Sequence, residues 1–139
     1  MSYSTDELLK ILEKSTEYPR SEILTDQNLV TRPIGELLSD LLQTKEMSKA
    51  QCIKAAGLDR TYCYQIFDGT KLPSRDKVLA LLIAASCNLK EIQTILKHGG
   101  YPMLYPRHKR DTAIIYGISH RLNVMEINEL LYEIGFETL

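Results

Sequence analysis

No apolar run in this sequence approaches the roughly 20 residues needed to cross a bilayer. The opening stretch, MSYSTDELLK, has neither a basic start nor an apolar signal core, so no exported leader is expected and the chain is assigned to the cytoplasm. Cysteine is scarce. The three cysteines, Cys52, Cys63 and Cys87, are an odd count in a 139-residue chain large enough to build a core without staples, so reduced thiols are expected. They form no Cys-x-x-Cys pair, and His98, His108 and His120 stand far apart at no ligand spacing, which leaves a metal or redox centre unsupported. No Gly-x-Ser-x-Gly, phosphate loop or His-Glu-x-x-His occurs, so neither catalysis nor a cofactor is expected. Strict apolar alternation is missing too, which argues against β-strands.

An excess of one charge is also lacking, since 17 basic residues face 18 acidic ones. The charge is nevertheless uneven. Residues 1–31 hold three basic against six acidic side chains, and residues 112–139 hold one against four. Between Lys45 and Lys77, seven basic residues face four acidic ones. A partner of negative charge would meet that section first.

What is present is helical periodicity almost throughout. Ser4 with Glu7 signals a capping box before Leu8, Leu9, Ile11 and Leu12, and this helix is expected to fade by Thr16. Glu17 to Arg32 holds Pro19 and little periodicity, which suits a connector. Pro33 then opens a helix from Ile34 to about Thr44 that carries Leu37, Leu38, Leu41 and Leu42 on one face. Ser48 and Gln51 cap the next helix, Gly57 stops it, Asp59 caps another that ends near Asp68, and Ser74 starts the one after Pro73.

The last part of the chain is a repeat. Residues 75–104 align without a gap on residues 110–139 at an offset of 35, with nine identities that include Arg75/Arg110, Asp76/Asp111, Asn88/Asn123, Glu91/Glu126 and Gly100/Gly135. Each copy reads as a helical hairpin with an Asn-x-x-Glu cap at its middle. Two copies are too few for a solenoid, so the hairpins are expected to pack on one another.

The stretch MSKAQCIKAAGLDRTYCYQIFDG, residues 47–69, has the pattern of a helix-turn-helix. Its glycine lies at the corner, and Cys52, Ala56, Leu58, Cys63 and Ile66 occupy the positions where two short helices would meet. The cysteines are expected to be small core residues there. With Gly57-Leu58, QIFDG, Pro73 and NLKEI, the segment from about Ile34 to Leu96 resembles the lambda-repressor-like Cro/cI (XRE) helix-turn-helix family, departing from it at Ile53, where alanine is usual. The resemblance implies an all-α lambda-repressor-like core, cytoplasmic, acting as a repressor or other regulator of transcription.

The expected organisation is therefore about seven helices: an N-terminal helix and connector (1–32), a helix-turn-helix domain (33–104) and a C-terminal hairpin (105–139). A recognition helix over 59–68 would enter the major groove of double-stranded DNA. At 100° per residue Thr61 and Gln65 point away from the core, so Arg60, Thr61, Tyr62 and Gln65 are the expected base contacts. Lys49, Tyr64, Lys71, Ser74 and Arg75 are the expected backbone contacts. The modest charge excess suggests a homodimer on two half-sites.

Two readings remain beside this one. The fold could serve as a protein-interaction module that has lost DNA binding, with the C-terminal hairpin docking a partner, or the hairpins could enclose a small-molecule pocket. The basic run Arg107-His108-Lys109-Arg110 reads first as a solvated loop, and otherwise as an anion or DNA-backbone contact.

Overall fold

A computed structural model describes residues 3–17 and 31–139. Among these the chain is all helical, and it holds eight helices where about seven were expected. They are α1 (Thr5–Lys14), α2 (Ile34–Thr44), α3 (Lys49–Ala56), α4 (Arg60–Phe67), α5 (Arg75–Ala84), α6 (Leu89–His98), α7 (Lys109–Ser119) and α8 (Val124–Glu133). Most of the expected connector from Glu17 to Arg32 lies outside the described residues. No described helix is long and apolar enough to cross a membrane.

Local chemistry sets these boundaries. Side chains of Ser4, Ser48, Asp59, Ser74, Asn88 and Asn123 accept from first-turn amides of the helices they precede. Three of them form reciprocal boxes, Ser48 with Gln51, Asn88 with Glu91 and Asn123 with Glu126. α1 is amphipathic but buries no residue. Its stability must come from the cap and local pairs more than from packing.

From α2 onward the helices share one core. α3 packs on α5, α2 on α4, and α8 on α3, α5 and α7. Leu82, Ile92, Leu96, Ile114, Ile127 and Leu131 are fully buried where both hairpins meet the helix-turn-helix. Burying each such side chain contributes about 1.5–3 kcal/mol. The C-terminal hairpin thus extends the core of residues 34–104 and does not build a second one.

All three cysteines are free and buried, and Cys52 Sγ donates to the Leu81 carbonyl at 3.3 Å. Burial pushes the Cys52 thiol up to about 11 and the Cys87 thiol up to about 12, and it raises Cys63 as well. The reactive thiolate is therefore scarce at neutral pH. In the native protein the three thiols should resist Ellman's reagent, then react together once the chain is unfolded. Fast labelling of the native protein would contradict their place in the core.

Candidate nucleic-acid interface

The corner between α3 and α4 is made by Gly57, whose φ of +69° is left-handed. Gly57 N–H donates to the Lys54 carbonyl at 3.1 Å and Leu58 N–H to the Ile53 carbonyl at 3.4 Å, closing the end of α3. A β-carbon would strain this backbone conformation. Ile53 is accommodated: it is 3% exposed within the core and the turn bonds are intact.

α4 buries Cys63, Ile66 and Phe67, as expected from the helical period. Arg60 and Thr61 are exposed, Gln65 is half-buried, and Tyr62 and Tyr64 lean on the core while keeping part of their surface outside. Asp59 fixes the start of the helix by accepting from Tyr62 N–H at 2.8 Å. The Arg60 guanidinium lies 5.6 Å from the centroid of the Tyr64 ring, so its charge is held along α4.

Lys49 at the start of α3 sits 5.2 Å over the Phe67 ring, which brings its ammonium to the C-terminal end of α4. Hydrogen bonds from Thr70 hold the Asp68 carboxyl below its usual range, with Lys49 adding to the effect. These contacts shape the loop in which Lys71 is exposed and Leu72 is 83% exposed. Lys71 N–H donates to the Gln65 carbonyl at 3.1 Å, tying the loop back to α4. Ser74 is exposed and caps α5 through Lys77 N–H at 3.3 Å.

Arg75 behaves differently from the expected backbone contact. Its guanidinium donates to both Asp111 carboxylate oxygens at 3.0 and 2.8 Å and to the carbonyls of Pro102 and Met103 at 2.9 and 3.0 Å. Those bonds commit it to the joint between hairpins, so it is removed from the phosphate-contacting set. The repeat shows why. Arg110 makes the equivalent bonds, to Asp76 at 2.8 and 2.9 Å and to the Glu137 carbonyl. The shared Arg-Asp pair was visible in the sequence, but its crossed pairing depends on how the hairpins dock.

Kinship adds to this geometry. The ImmF control region 10 kDa protein of Bacillus phage phi105 is 33% identical over 75 residues, spanning 50% of this chain and 82% of that protein. This chain belongs to its family. No established family model matches this family member, and no solved structure matches it either.

One further concavity lies away from α4. The turns of the two hairpins enclose an open cleft of about 560 Å³, lined among others by Cys87, Asn88, Arg121, Leu122 and Asn123. Ser86 and Arg121, equivalent in the repeat, both hold left-handed backbone there at φ 60° and 58°.

Proposed function

We propose that this chain binds double-stranded DNA sequence-specifically and regulates transcription, with α4 in the major groove. The observation that carries the reading is the α3–Gly57–α4 corner, which buries one face of a short helix and leaves Arg60, Thr61 and Gln65 on the other. Arginine suits the paired acceptors of guanine, glutamine suits adenine, and the threonine methyl can meet that of thymine. Tyr62, on the flank, reaches the same groove. Lys49, Tyr64, Lys71 and Ser74 hold the phosphates on either side. Kinship with a protein named for a control region supports a regulatory role, and a local excess of positive charge that is small favours action as a pair of copies on two half-sites.

In vitro selection from random duplex DNA tests this, run on the wild type and on an Arg60→Ala, Gln65→Ala variant. The expected result is an enriched, palindromic site that the variant fails to recover. Absence of enrichment at low and moderate salt would contradict the reading, and the interaction-module alternative would take its place.

A further inference from the structure

We infer that the turn carrying Arg107, His108 and Lys109 is a second DNA-backbone contact, held beside the α4–α5 loop by the crossed Arg–Asp pairs. The inference rests on the DNA-binding reading above and extends it to a part of the chain outside the helix-turn-helix.

Arg75 and Asp76 are the first two residues of α5, while Arg110 and Asp111 belong to the first turn of α7. Their exchange, Arg75 with Asp111 and Arg110 with Asp76, therefore clamps the N-terminal turns of the two helices side by side. The turn before α7 is thereby brought beside the N-terminus of α5, where Ser74 ends the α4–α5 loop. It is also well ordered by its own bonds. Tyr105 N–H donates to Asp111 Oδ2 at 2.9 Å, His108 N–H to the Tyr105 carbonyl at 3.0 Å, and Thr112 Oγ1 to the Pro106 and His108 carbonyls at 2.7 and 2.9 Å.

The cations on this turn are Arg107 and Lys109. Arg107, His108 and Lys109 are exposed, and none of them is in an ion pair among the described residues. The neighbouring carboxylates, Asp76 and Asp111, are engaged by Arg110 and Arg75, and the His108 ring rests edge-on against Tyr105. Ser74 caps α5, but His108 places no side-chain acceptor on the first turn of α7. A turn with two unpaired cations, beside the end of the loop that follows the base-reading helix, is suited to a phosphodiester, and such contacts add affinity without adding sequence preference.

The test uses the full chain and the duplex recovered by selection, with affinity followed by fluorescence anisotropy across a salt series. Arg107→Ala with Lys109→Ala should make the plot of log affinity against log salt shallower by about 1.8. Arg107→Glu with Lys109→Glu should weaken binding further, and sequence preference should persist in both variants. The control is Lys90→Ala with Arg121→Ala, which removes the same charge at the turn ends of the hairpins and should leave the slope unchanged. Melting midpoints equal to wild type will show that all three variants fold. If the wild type binds and the turn variants keep its slope, or change it no more than the control does, the inference fails alone. A wild type that binds no duplex overturns the DNA reading and the inference together.

Discussion

Replacing Gly35 with alanine should destabilise the protein by about 3 kcal/mol, a large effect for a single methyl group. A β-carbon at Gly35 would lie 2.5 Å from the Ile66 carbonyl oxygen and 2.7 Å from that of Phe67. Both atoms are backbone at the C-terminal end of α4, so no side-chain rotation can relieve the contact. Either α2 or α4 must move. Urea denaturation gives the stability change, and DNA affinity should fall with it because α2 is what α4 leans on. A change below about 0.5 kcal/mol would mean that the approach of α2 to α4 is looser than described.

The second large effect belongs to Asp111. Its side chain is 7% exposed and that of Arg75 is 21% exposed, so removing either leaves the other charge desolvated. Asp111→Ala should cost about 3 kcal/mol by that argument. Asp76→Ala breaks the equivalent pair, whose side chains are 23% and 31% exposed, and should cost only about 1 kcal/mol. Equal losses for the two would contradict the account, since Asp111 is the more buried carboxylate and also accepts from Tyr105 N–H, whereas Asp76 is more exposed and is bonded by Arg110.

Asp111 also predicts a pH dependence with a definite sign. Burial pushes its carboxyl up, but hydrogen bonds from Arg75 and Tyr105, together with the Arg75 charge, outweigh this and hold it below the usual carboxylate range. A depressed pKa in the folded state contributes stability above the unfolded value of about 4, and that contribution is lost as pH falls through the folded pKa. Asp111→Asn should therefore flatten the acid side of the stability profile. An unchanged acid limb would show that the pair does not carry it.

The helix-turn-helix was legible because its signals are local: Ser48 and Asp59 cap, Gly57 turns, and Cys52, Cys63 and Ile66 recur at helical spacing. Gly35 carried no such signal. It sits within an ordinary amphipathic stripe, and its need for a missing β-carbon arises only when α4 arrives from elsewhere in the chain. Arg75 was misread for a related reason, since a basic residue beside a capping serine looks like a phosphate contact until the second hairpin supplies Asp111. The repeat announced that the hairpins pair, but not that its identical Arg-Asp residues are the fasteners. The helix signals along the chain, one before Thr16, three from Ile34 to Asp68 and two in each hairpin copy, number eight, as observed.

The central claim is that α4 meets DNA through its N-terminal half. Amide chemical-shift mapping of the full chain, titrated with the selected duplex, tests it most directly. The account predicts the largest shifts at residues 59–65, with a second group at Lys49 and at residues 70–74. Shifts confined to α1 or to the turns of the hairpins, with α4 unmoved, would contradict it.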